Sequence, residues 1–151
     1  MIFIEIQHEE TPDTFAKLVE QAAEAALKHQ SAKPDVTLTV VLTDDAQLQT
    51  LNHDFLGNDS PTDVLSFPSD EPDPETGETY LGDILISMPR AALQALAARH
   101  PLQAEMQLLV VHGVLHLLGH DHAESAEKER MWAAQGQILA QLGLENINIR
   151  E

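Results

Sequence analysis

From Ile2 to Ile6 every second residue is isoleucine, an alternation that predicts a half-buried strand over residues 2–7. The period then changes. After the helix-start signature Thr11-Pro12-Asp13, residues Phe15, Leu18, Val19, Ala22 and Ala26 recur at the spacing of one helix face up to about His29, with acids early and Lys28 late. A short connector over 31–34 leads to Val36, Leu38, Val40 and Leu42, alternating with Thr37, Thr39 and Thr43 in a second strand. Asp44 and Asp45 can cap a short helix whose apolar positions are Leu48, Leu51 and Phe55.

A glycine-containing turn over 56–63 leads to Val64-Leu65-Ser66-Phe67-Pro68, a short strand closed by its proline. Residues 69–79 hold two prolines, a glycine and five acids with hardly an apolar side chain, which predicts a loop and not a separate domain. Residues 80–87 return as a strand in which Gly82 permits close backbone approach. Ser87 and Pro89 then start a helix that carries Leu93 and Leu96 and is interrupted at His100-Pro101. The next segment is apolar nearly all round, at Val110, Val111, Val114, Leu115, Leu117 and Leu118, which makes it a central helix. A final helix over 123–142 turns Met131, Ile138 and Leu142 inward and stops at Gly143. With no repeat and no boundary signal, residues 1–151 read as a single domain.

The central helix also carries the chemistry. Residues 112–122, HGVLHLLGHDH, contain four of the eight histidines of a chain without cysteine. His112 and His116 lie four apart, one turn above the other on one helix face. Gly119 suits a left-handed cap, and the reversed chain can bring His122 beneath the same face. Three imidazoles without a thiolate leave the fourth position of a tetrahedral Zn²⁺, one per chain, to water, the catalytic and not the closed structural arrangement. His120 points elsewhere on the turn and reads as a solvated or supporting residue. Asp121 is either a carboxylate that orients an imidazole or a proton acceptor, the first being preferred.

Composition narrows the setting. A 43% hydrophobic content suits a globular protein with a real core. No apolar run reaches membrane-spanning length and no signal peptide is evident, so a cytoplasmic location without membrane partners is expected. Absence of cysteine excludes disulfides and thiolate zinc ligands. The formal charge of −17 opposes long-range attraction of a polyanion such as RNA.

The spacing His-x3-His-x2-Gly-x2-His is that of metzincin peptidases, which place a glutamate general base directly after the first histidine; here that position is Gly113. Peptide hydrolysis would need a replacement base. Two separated stretches, from Asn52 through Phe67 and from His112 through His122, together resemble the YbeY family of bacterial endoribonucleases. HGVLHLLGHDH is the strongest block, with PTDVLSFP at residues 61–68 and LGDILIS at residues 81–87 beside it. The resemblance implies an α+β fold with a mixed, mainly four-stranded sheet, about five helices and the metal site on the central helix. It implies zinc held by His112, His116 and His122, cleavage of single-stranded RNA, and maturation of ribosomal RNA, especially the 3′ end of the small-subunit RNA. It further implies a part in ribosome quality control, with the small subunit and assembly factors as partners and no DNA. Ser66 and Asp83 lie in the resembling blocks and are candidates for lining the substrate cleft, against the alternatives of a strand hydroxyl and a strand-end turn partner.

One departure stands out. Where the family commonly has an arginine five residues before the proline of PTDVLSFP, this chain has Leu56, and no lysine or arginine occurs between Lys33 and Arg90. Backbone amides, the metal, Arg90 or Arg99 would then attract phosphate. Two other readings are compatible with the same residues: a metallopeptidase with a replacement base, and a non-catalytic ribosome-assembly factor in which zinc locks His122 and the last helix to the core.

Overall fold

A computed structural model describes residues 1–57, 62–69 and 79–144. Their order is β1 (Ile2–Ile6), α1 (Phe15–His29), β2 (Thr37–Thr43), α2 (Asp45–Leu56), β3 (Val64–Pro68), β4 (Tyr80–Ser87), α3 (Met88–Ala98), α4 (Leu102–Leu117) and α5 (Ser125–Gln141). The strands form one mixed sheet in the order β1-β2-β4-β3, with β1 and β4 parallel to β2 and β3 antiparallel to β4. This is the expected α+β domain of four strands and five helices.

The two faces of the sheet are unequal because β2 and β4 are apolar on both. Leu38, Val40, Leu42, Ile84 and Ile86 join the main core with residues of α1, α3, α4 and α5. Val41, Leu65 and Leu85 point the other way, against Leu48 of α2. Helix α4 lies in the middle of the main core, with Val110, Val111, Val114 and Leu115 all fully buried. A helix apolar on every side gains stability only when surrounded, and this one is.

Two glycines set how closely α4 and the strands approach. Gly82 has φ +140°, and a Cβ there would stand 2.2 Å from the carbonyl oxygen of Phe67 on β3. At Gly113 a Cβ would stand 2.8 Å from Ile84 Cγ2 on β4, so the missing side chain lets the helix sit directly on the sheet. The helix ends expected from sequence are built from local hydrogen bonds. Asp44 accepts from Gln47 N at 2.8 Å to start α2, and Ser87 Oγ accepts from Arg90 N at 3.3 Å to start α3.

Three expectations are corrected. Helix α1 begins at Phe15, because Thr11 N bonds back to His8 O and Phe15 N to Pro12 O in preceding turns, and its first turn carries no acid. Leu93 and Leu96 on α3 are 64% and 78% exposed, and Met88, Ala91 and Ala95 face inward instead, where small side chains allow close approach to α4. Phe55 of α2 is also exposed, touching only the edge of Phe67 among aromatic rings described. Most of the turn and acidic loop expected over 56–63 and 69–79 lies outside the described residues. Among those described, no helix is long and apolar enough to cross a membrane.

Candidate metal centre

The site is built at the C-terminal end of α4. His112 and His116 project from one face, and their Nε2 atoms are 3.1 Å apart. Past Leu118 the chain reverses through Gly119 at φ +100°. Gly119 N bonds to His116 O at 3.0 Å and His120 N to Leu115 O at 2.9 Å, the paired closure of a Schellman motif. Asp121 Oδ1 then accepts from the backbone N of His122 at 2.7 Å and holds the next turn. The result brings the His122 ring 5.6 Å from that of His112 and 5.2 Å from that of His116, centroid to centroid. One ligand atom from each of the three lies within 4.8 Å of the others.

Burial grades across the cluster: His112 and His116 are half-buried, and His122 is exposed. Desolvation, reinforced by the neighbouring His116, lowers the His112 pKa to about 4. His116 is lowered too, first by desolvation and next by His122, while the Asp121 carboxylate works in the opposite direction. At neutral pH these two rings are therefore uncharged donors. Three converging imidazoles with one side open to solvent are the donor set a divalent transition metal takes, so the residues present fit a metal ion, and His112, His116 and His122 could hold it.

The surroundings sort the other candidates. His120 is outside the cluster, its Nε2 2.8 Å from Gln30 Oε1 at the end of α1. Ser66 reaches the metal helix, with Oγ donating to Gly113 O at 3.5 Å. Asp83 does not. It pairs with Phe67 and Thr39 on the sheet face turned away from α4, and the Tyr80 hydroxyl donates to its Oδ1. Arg90, a candidate phosphate contact, is held by Asp45 through Nε to Oδ1 at 2.9 Å and Nη2 to Oδ2 at 3.0 Å. That bidentate bond lowers the Asp45 pKa. Arg99 sits at the opposite end of α3, about 18 Å along the helix axis from Ser87.

Two residues of α5 beside the histidines went unmarked in the sequence. Gln135 Oε1 is 2.7 Å from His112 Nδ1. The Trp132 ring meets those of His112 and His122 edge-on at 6.0 and 5.6 Å, and the Lys128 ammonium lies 5.5 Å from the indole centroid. A polar Gln135 on the apolar stripe that contains Met131 and Ile138 was the available signal.

Comparison with known proteins gives this arrangement its family. A sequence model of the family described as Endoribonuclease YbeY matches residues 2–143. The chain belongs to the YbeY family. An endoribonuclease YbeY of Desulfitobacterium hafniense (strain Y51) is 43% identical over 133 residues, covering 84% of this chain and 85% of that one. Another, from Salinispora tropica, is 41% identical over 147 residues and covers 91% and 94% respectively. The solution structure of TM1509 from Thermotoga maritima aligns with a TM-score of 0.59 at 26% identity, covering 97% of this chain and 94% of that one. Within this YbeY-family chain, Gly113 faces Ile84 of the sheet, so the position that carries the peptidase glutamate is directed into the core and not toward the open side of the histidines.

Proposed function

We propose that this chain is a zinc-dependent endoribonuclease that cuts single-stranded RNA and acts in the cytoplasm on ribosomal RNA. Its proposed tasks are 3′-end maturation of the small-subunit RNA and ribosome quality control, alongside the small subunit and its assembly factors. The observation that carries the reading is the convergence of three imidazole donors within 4.8 Å in a chain of this family.

Zinc bound there would supply Lewis acidity, polarising a phosphoryl oxygen and lowering the pKa of water. The protein's part is to hold uncharged donors in place and keep one side open. Burial keeps His112 and His116 uncharged at neutral pH, so neither has to give up an imidazolium proton before it acts as a ligand. His122 stands on the exposed side, where an RNA phosphate can approach. Asp121 orients that third ligand by accepting from the backbone N–H of His122, the orienting role preferred over that of proton acceptor. Ser66, next to Gly113, is the substrate-side hydroxyl of this proposal, and Asp83 serves as the partner of Tyr80.

The test is cleavage of one labelled single-stranded RNA, and of the same sequence as a duplex, by wild type and His116→Ala with added Zn²⁺ or chelator. Zinc-dependent cutting of the single strand by wild type alone is expected. Equal cutting by both proteins, or none by zinc-loaded wild type, would reject the assignment.

A further inference from the structure

The inward face of α5 carries Met131, Ala134, Ile138 and Leu139, and among them Gln135, which is only 1% exposed. A side-chain amide placed there must find its hydrogen bonds inside the protein, since losing them to an apolar interior costs free energy. Its Oε1 is 2.7 Å from Nδ1 of His112, 23 residues away in the sequence. A carbonyl oxygen only accepts, so Nδ1 of His112 carries the proton. A neutral imidazole has a single N–H, which leaves Nε2 as a bare lone pair. Nε2 is also the nitrogen that faces His116, at 3.1 Å. With the amide turned over, its N–H₂ would donate to Nδ1. The His112 proton would then sit on Nε2, directed into the cluster where a cation needs a lone pair.

We infer that Gln135 is a positioning residue for the metal centre: its amide oxygen selects the Nδ1–H form of His112 and thereby makes Nε2 the ligating nitrogen. Docking of α5 on α4 and metal affinity are thus one event, because the hydrogen bond that joins the helices also prepares the ligand. Being uncharged, the amide does this without adding an anion beside the place where a phosphodiester must come. This assignment rests on the metal reading above and adds to it a residue outside the histidine motif.

Two measurements test it without using nuclease activity. Long-range ¹⁵N–¹H correlation spectra of wild type at neutral pH before zinc is added report which His112 nitrogen is protonated, and Nδ1–H is expected. Competition with a chromogenic chelator reports zinc affinity. Gln135→Met, which keeps the length and removes the acceptor, should weaken binding about 10- to 100-fold, whereas Gln135→Glu, which still accepts, should stay within a few-fold of wild type. An Nε2–H form in wild type, a Met variant that binds as tightly as wild type, or a Glu variant as weak as Met would overturn the role of Gln135. If the Met variant does not fold, the wild-type spectrum decides alone. Wild type that binds no zinc would overturn the metal reading and this inference together, whereas failure in the spectrum or variants alone leaves the metal reading standing.

Discussion

Replacing Gly82 by alanine should be among the costliest single-methyl changes in this chain. The new Cβ would lie 2.2 Å from Phe67 O and 2.9 Å from Leu117 Cδ2. Leu117 can rotate away, but the carbonyl belongs to the neighbouring strand, and an ordinary C···O contact is about 3.3 Å. Strand β3 would therefore have to retreat by about 1 Å from β4. Three costs combine: about 1–3 kcal/mol for an L residue held at φ +140°, about 1–3 kcal/mol for the overpacking, and about 1 kcal/mol for a ladder hydrogen bond stretched at that point. A loss of about 3–7 kcal/mol is a large share of the roughly 5–15 kcal/mol that holds a domain folded. Urea unfolding followed by circular dichroism reads it: with a slope of about 2 kcal/mol per molar, the midpoint should fall by about 1.5–3.5 M. Gly136 supplies the contrast. It lies inside α5, where an added Cβ would meet nothing within 4 Å, so Gly136→Ala should raise stability by about 0.5–1 kcal/mol. A Gly82→Ala protein within about 1 kcal/mol of wild type, or two alanine variants that shift in the same direction, would refute this account of how the strands approach.

Other consequences can be measured separately. Zinc at 100 times its Kd should stabilise the folded state by about 2.7 kcal/mol, raising Tm by roughly 5–10 °C in a chain of this size; chelator should abolish the rise and His116→Ala should never show it. Tyr80 is the single tyrosine, and burial together with its hydrogen bond to Asp83 raises its pKa from 10 to about 12, so absorbance near 295 nm should show one phenol titrating near 12. Because its folded pKa lies above the unfolded value, its stabilisation is fully present below pH 10 and fades as pH rises from 10 towards 12. The full rise corresponds to at most about 2.7 kcal/mol, and solvent screening at this partly exposed group leaves about 1 kcal/mol, a loss that Tyr80→Phe should remove. With Arg90 bound to Asp45 and net charge −17, RNA binding should depend only weakly on salt: even about two phosphate contacts on a single strand would give a log–log slope of only about −1.4, and a slope steeper than about −3 would contradict it.

The histidine grip was legible because it is local. Positions four apart on a helix share a face whatever surrounds them, and a glycine after the last turn can close it, so His112, His116 and the reversal at Gly119 follow from the order of residues alone. The same holds for the caps at Asp44 and Ser87 and for the period-two strands. Gln135 was not legible in that way, since its partner is 23 positions distant and only the packing of α5 on α4 brings amide to imidazole.

Asp83 and Leu93 show the other side of the division. Alternation along β4 establishes that Asp83 and Ile84 point oppositely, yet it does not say which face receives α4; the burial of Ile84 against Gly113 decides that, and it turns Asp83 towards Tyr80. Helical spacing likewise marks Leu93 and Leu96 as apolar without revealing that the alanines opposite them offer the closer fit to α4. Sequence by itself determined the elements, most of their ends and two of the three imidazoles at one helix face, because these depend on interactions within a turn or two of chain. Only the tertiary structure decided which face meets which, the sheet order, and the partners of Asp83, Arg90 and His112, because those depend on close packing between segments far apart along the backbone.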